Sequence, residues 1–157
     1  MDMVDGKTLL LSSFKGKVVI AEFLLTTCPH CQQCSQVLQK LYKEYGPRGF
    51  QPVGIAVNDM AKMLIPDFQK NFGITFPVGV GRRESVYNYL EIPSIFMMSF
   101  PTVAVIDKKF TVRQQHLGGE DIFREEEKNF RAIIESLLND KSAAPVSSKK
   151  SAAPKTT

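Results

Sequence analysis

Three cysteines fall within seven residues, Cys28, Cys31 and Cys34, and the first two stand where an apolar run gives way to a helical pattern. That placement constrains the chain more than any other feature. Lys17–Leu25 (KVVIAEFLL) is a nearly continuous apolar, β-branched stretch, the pattern of a strand buried on both faces. Val37, Leu38, Leu41, Tyr42 and Tyr45 then recur at helical spacing until Gly46-Pro47 stops them. An odd, clustered set of cysteines excludes a disulfide framework spread over the fold and points to local redox or metal chemistry.

Beyond this unit, strands and helices alternate. Phe50–Val57 reads as the next strand, Asp59–Phe72 as a helix bent at Pro66 and stopped by Gly73, Thr75–Val80 as a short strand, and Arg83–Leu90 as a helix. Thr102–Asp107 and Thr111–Leu117 read as an antiparallel pair joined through Lys108-Lys109. Phe123–Leu138 closes the body as an amphipathic helix with Phe123, Phe130, Ile133, Ile134, Leu137 and Leu138 on its apolar side. Glu120, Asp121, Glu125, Glu126 and Glu127 crowd its start, where the helix dipole favours acids, and they read as a solvated face. The alternation predicts an α/β layered domain over residues 1–140 whose central strands are parallel and which, with the antiparallel pair, has a central mixed sheet flanked by helices.

Composition removes several function classes. The chain has 157 residues, 43% of them hydrophobic, enough for a core that needs no staples. No apolar run approaches the roughly 18 residues of a membrane span, so a membrane-embedded protein is excluded. The net charge of +4 resides wholly in residues 141–157, where Lys141, Lys149, Lys150 and Lys155 stand without an acid. The body is therefore neutral, and a nucleic-acid partner is not expected. Lys-Ser-Ala-Ala-Pro occurs at 141–145 and again at 150–154, which predicts a disordered basic tail over 141–157. The first residues show no basic region followed by an apolar one, so no signal peptide is visible, which leaves the compartment open.

Cys28-Pro29-His30-Cys31 carries the chemistry. Spacing i, i+3 puts two thiols on one helical face, close enough for a disulfide within the first turn. A thiolate at a helix N-terminus is stabilised by unpaired backbone N–H groups and by the dipole, so Cys28 is expected to be the exposed nucleophile and Cys31 the buried resolving thiol. Pro29 suits an early helical position that has no use for its missing N–H, and Thr26 or Thr27 can cap. His30, between the thiols, adds positive potential and a donor, which stabilises the reduced dithiol and makes the disulfide a stronger oxidant.

Val18–Cys34 (VVIAEFLLTTCPHCQQC) resembles the thioredoxin superfamily, and its Cys-Pro-His-Cys tetrapeptide is similar to that of DsbA-type disulfide oxidoreductases. Over Gly6–Gly119 the layout resembles the TlpA/ResA-like branch, with Asp5-Gly6-Lys7, Phe14-Lys15-Gly16-Lys17 and an extra strand and helix before the last hairpin. The resemblance implies a thioredoxin-like fold and a monomeric thiol–disulfide oxidoreductase. Its implied partners are protein thiols or disulfides and a redox-recycling protein, with no dissociable cofactor and no metal. It implies that Phe100-Pro101-Thr102 is a cis-proline loop in which Pro101 docks substrate backbone, with Phe100, Thr102 and Pro29 beside it. It also implies that Glu22, six residues before Cys28, relays protons to Cys31; desolvation would raise its pKa towards neutrality, as a general base requires. Gly118-Gly119 matches a glycine at the active-site rim. The branch is usually exported or anchored outside the cytoplasm, so an extracytoplasmic, periplasmic location is expected with the signal or anchor outside this sequence, a cytoplasmic one being the alternative.

The chain departs from the pattern in having Thr27 where a tryptophan commonly precedes the first cysteine, and bulky Phe100 before the proline. Cys34 reads as a buried, inert helix cysteine. A rival reading makes Cys28, Cys31, Cys34 and His30 a metal quartet in a metal-binding or metal-delivery domain, which would need an unwound helix start. A third is a redox-inert binding module. A peroxiredoxin needs a proline and a threonine upstream of its peroxidatic cysteine, where residues 21–25 read Ala-Glu-Phe-Leu-Leu. Ile95-Phe96-Met97-Met98 suits a hydrophobic peptide groove or core packing equally, and His116 reads as structural.

Overall fold

The computed structural model describes residues 1–141. The apolar run forms β1 (Val18–Leu24), buried at every residue. β2 (Phe50–Ala56) lies parallel beside it, Val18 opposite Phe50 and Leu24 opposite Ala56. β3 (Val78–Val80) extends the parallel side. On the other side β4 (Thr102–Ile106) runs antiparallel to β1, with Phe23 opposite Thr102, and β5 (Val112–His116) forms the edge. The order is β3-β2-β1-β4-β5. β1 is thus the middle strand, its backbone groups satisfied from both sides.

Helices cover both faces. α1 (Pro29–Tyr45) and α4 (Glu126–Asn139) pack Leu38, Leu41, Phe130 and Ile134 against Val18, Ile20 and Leu24, with Ile65 and Phe68 of α2 (Ala61–Phe72) in the same cluster. The opposite face, formed by Val19, Ala21 and Phe23, packs against Val86 of α3 (Arg83–Tyr89) together with Leu90 and Met98. Because β4 is antiparallel to β1, the chain enters β4 at the sheet edge where β1 ends. Topology therefore brings the loop before Thr102 to the loop that holds the cysteines.

Local physics accounts for the differences from the expected boundaries. The strand expected at Thr75–Val80 contracts to Val78–Val80, behind Pro77, which has no N–H for a ladder. The helix expected from Asp59 starts at Ala61, because Met60 is left-handed at φ 58°, while Pro66 sits inside without ending it. The hairpin turn is built by Asp107, whose Oδ1 accepts from the N–H groups of Lys109 and Thr111, both at 2.9 Å. The last helix is preceded by a 3₁₀ turn at Asp121–Glu125. Asp2 exchanges backbone hydrogen bonds with Val80 at 3.0 and 2.7 Å, which covers the edge of β3. The tail expected to be disordered lies, beyond Lys141, outside the described residues. Among the described residues no helix is long and apolar enough to cross a membrane.

Candidate active site

Cys28 is the N-cap of α1, half-buried, with extended backbone (φ −87°, ψ 120°) and Pro29 in the first helical position. No side chain caps the helix. Thr26, expected as a cap, is engaged elsewhere: its N–H donates to Asn58 Oδ1 and Asn58 Nδ2 donates to its Oγ1, both at 3.0 Å. Thr27 is exposed. The open helix end is therefore left beside the Cys28 side chain. Cys31, one turn in, is fully buried, and burial pushes its thiol above the ordinary range, with Cys28 and Glu22 adding to the effect. Pro29 and His30 are exposed.

Glu22 lies on β1 with no exposure at all. Ser35 Oγ donates to its Oε2 at 2.6 Å, while its Oε1 has no hydrogen-bond partner. Desolvation raises its pKa to about 8; Ser35 and Cys34 oppose that rise, and the nearby Glu126 reinforces it. The carboxyl thus meets α1 at Cys34 and Ser35, whereas its influence on Cys31 is through space. Cys34 is also fully buried, its thiol pushed well up by burial first and then by Glu22.

The Phe100–Pro101 peptide bond is cis. Pro101 and Thr102 are buried, and Thr102 Oγ1 donates to the Ser99 carbonyl at 2.6 Å. Phe100 is half-buried, with the Arg83 guanidinium 5.8 Å from its ring centre. His30 and Gln33 of α1 share a cleft of about 210 Å³ with Pro101, Gly119, Phe123 and Glu126. A larger cavity, about 560 Å³, lies on the opposite face of the sheet against Phe23 and Tyr89 and contains no cysteine. Chemistry, not size, marks the site.

Sequence reasoning missed two of its parts and reached a third only through the resemblance. Ser35, which holds the buried acid, carries no local signal. Glu126, assigned to a solvated face, is 7% exposed; it is the first residue of α4, Gln33 Nε2 donates to its Oε2 at 3.4 Å, and burial raises its pKa against the pull of Gln33 and His30. Gly118 was noticed only through the resemblance. A Cβ there would stand 2.9 Å from Phe100 N and Ser99 C, so only glycine lets the hairpin end lie against the proline loop. Of the apolar loop, Ile95, Phe96 and Met97 are exposed, whereas Met98 joins the core and its N–H donates to Tyr87 Oη at 2.8 Å. His116 is braced structurally, Nδ1 2.9 Å from Glu120 Oε2. The metal quartet does not form: Cys31 and Cys34 lie inside the core while His30 is exposed, and among the described residues no group of three or more potential ligands could hold a metal ion.

Residues 2–134 match the Redoxin family. The chain belongs to that family. Among its relatives is the thiol-disulfide oxidoreductase ResA of Geobacillus kaustophilus, 31% identical over 117 residues, which are 73% of this chain and 64% of that protein. The chain spans less than two thirds of the length of this and the next such relatives. A glutathione peroxidase-like peroxiredoxin 2 of Saccharomyces cerevisiae is 31% identical over 120 residues, 68% of this chain and 74% of that one. The crystal structure of a thiol:disulfide interchange protein of the thioredoxin family from Chlorobium tepidum superimposes with a TM-score of 0.73 at 29% identity, covering 88% of this chain and 91% of that one. The Redoxin chain therefore has a thioredoxin-like fold.

Proposed function

We propose that this Redoxin-family protein is a thiol–disulfide oxidoreductase acting on protein substrates. The observation that carries the reading is the pairing of a half-buried N-cap thiol, Cys28, with a buried thiol one turn away, Cys31, over a buried acid. In the reductive direction Cys28 thiolate attacks a substrate disulfide and releases one substrate thiolate. Cys31, deprotonated towards Glu22, then attacks Cys28 Sγ and releases the second, leaving a Cys28–Cys31 disulfide; the oxidative direction is the reverse. Glu22, raised towards neutrality by desolvation, is suited to hold the proton. Pro101, sharing the cleft with His30, positions substrate backbone beside Cys28, with Phe100, Thr102 and Pro29 forming its surroundings. The similarity to ResA and to the thiol:disulfide interchange protein supports this activity, and the branch to which the sequence is similar supports a location outside the cytoplasm.

The yeast relative supports a second reading, reduction of a hydroperoxide. Cys28 thiolate would attack the peroxide O–O bond, expelling the alcohol and becoming a sulfenic acid, which condenses with the Cys31 thiol to a disulfide and water. The apolar Ala21–Leu25 segment, which lacks the upstream proline and threonine, weighs against it.

The test is equilibration of the Cys28–Cys31 couple with glutathione together with two variants. Cys28→Ser should abolish exchange with a small dithiol, and Cys31→Ser should accumulate mixed disulfides. A reduction potential near the roughly −120 mV of DsbA identifies a disulfide donor, and one near the roughly −270 mV of thioredoxin a reductase. Full exchange by Cys28→Ser overturns the mechanism. Oxidation faster by hydrogen peroxide than by protein disulfides favours the peroxidase.

A further inference from the structure

The proposed mechanism has Glu22 take a proton from Cys31, yet the groups at its carboxyl are Ser35 and Cys34. Cys31 and Cys34 are one turn apart on α1, both without exposure, and both belong to the same packed cluster, against which Cys28 also lies. Side chains at i and i+3 of a helix are neighbours. Ser35, next in sequence to Cys34, fixes the carboxyl by donating to Oε2. The other oxygen, Oε1, is buried with no partner. A fully buried oxygen left unpaired is costly, and in a folded protein it asks for an explanation. Cys34 carries a mobile S–H beside that carboxyl and beside Cys31. As an inert packing residue it explains none of this.

We propose that Cys34 is the relay that carries the proton of the resolving thiol Cys31 to Glu22 Oε1. This inference rests on the oxidoreductase reading. In the relay the S–H bond of Cys31 breaks and a new S–H forms on Cys34, while the original Cys34 S–H breaks and an O–H forms on Glu22 Oε1. Cys31 thiolate then attacks Cys28 Sγ and expels the substrate thiolate. Cys34 begins and ends as a thiol and is not oxidised. The ionisable groups acting on it are Cys31 on its own helix, Glu22 on β1 and Glu126 on α4; Glu126 acts on both Glu22 and Cys34 through space and is itself influenced by His30.

The experiment measures resolution of a preformed Cys28 mixed disulfide with glutathione, by stopped flow from pH 5 to 10, in the wild type and in Cys34→Ser, Cys34→Ala, Cys34→Val and Ser35→Ala. Serine keeps a proton carrier, alanine removes it, and valine removes it while filling the space. General acid–base assistance contributes about 10²–10⁴-fold, so a broken relay should slow resolution about tenfold or more. The expected result is slow resolution in Cys34→Ala and Cys34→Val with loss of the inflection near pH 8, and resolution in Cys34→Ser close to that of the wild type. Melting curves report whether each variant is folded. Wild-type rates and pH profile in folded Cys34→Ala overturn the relay, as does a Cys34→Ser variant as slow as Cys34→Ala. Loss confined to Ser35→Ala overturns it too, because the proton then travels through Oε2. If the wild type forms no Cys28–Cys31 disulfide at all, the oxidoreductase reading itself fails, and the relay with it.

Discussion

The two faces of β1 are built from one apolar run and do different work. Val19, Ala21 and Phe23 point to the side covered by Val86, Leu90 and Met98, with which they form an apolar cluster. Val18, Ile20, Glu22 and Leu24 point to the side of α1 and α4, where Cys31, Cys34 and Ser35 lie. Both faces are equally buried. One obeys the rule that interiors are apolar, while the other breaks it with an acid that is destabilising when ionised. The comparison shows where the fold buries a carboxyl at a cost in stability, the group proposed above to accept the proton.

Phe23→Ala attacks the apolar face. It is expected to lower stability by about 3–5 kcal/mol, read by denaturant unfolding, while exchange per folded molecule stays at the wild-type level. A loss of intrinsic activity would mean that the two faces are not separable.

Glu22→Gln attacks the other face, with the opposite sign. The folded-state pKa of Glu22 is raised to about 8, above its unfolded value, so the native state holds a proton that the unfolded chain has lost. Wild-type stability should therefore fall as pH rises from about 4.5 to 8 and level off above, a tenfold change in proton affinity being worth about 1.4 kcal/mol. Glutamine mimics the protonated acid and should remove that slope, leaving the variant roughly 2–4 kcal/mol more stable at pH 8.5 and about 10²–10⁴-fold slower in resolution. A variant no more stable than the wild type at high pH would show that the carboxylate is well solvated after all.

Gly118→Ala tests the junction between hairpin and proline loop. The added methyl meets backbone at 2.9 Å, so a destabilisation of about 1–3 kcal/mol is expected, with a raised KM for protein substrates and unchanged reactivity towards small dithiols. Equal losses with both substrates would place the effect in the cysteines and not in docking. The smallest effect belongs to His30→Ala. His30 is exposed, and losing its support of the reduced form should make the reduction potential more negative by about 30 mV, a tenfold change in the equilibrium constant. A shift in the other direction would assign the oxidising contribution to the helix end alone.

What was legible follows from range. The β1 strand, the start of α1 at Pro29 and the amphipathic pattern around Phe130 and Ile134 depend on neighbours within a few residues, whose dihedral preferences and periodicity are written locally. The cysteine pair was legible for the same reason. Thr26 was misassigned as a cap because its partner, Asn58, comes from the loop after β2. Glu126 was misassigned to the solvent because an acid at a helix start is normally favourable there, and only the packing of α4 on α1 buries it.

The sequence by itself determined that two thiols would share a helix start at the end of a buried strand, because spacing and backbone preference decide that without help from distant residues. The tertiary structure alone decided what surrounds them. Strand order made β1 central and so made Glu22 buried; register and helix packing set its carboxyl on Ser35 and Cys34; the antiparallel entry of β4 brought Pro101 and Gly118 to the same edge. Contacts between residues far apart in the chain depend on how the sheet is ordered and how helices dock on it, and no local pattern encodes either.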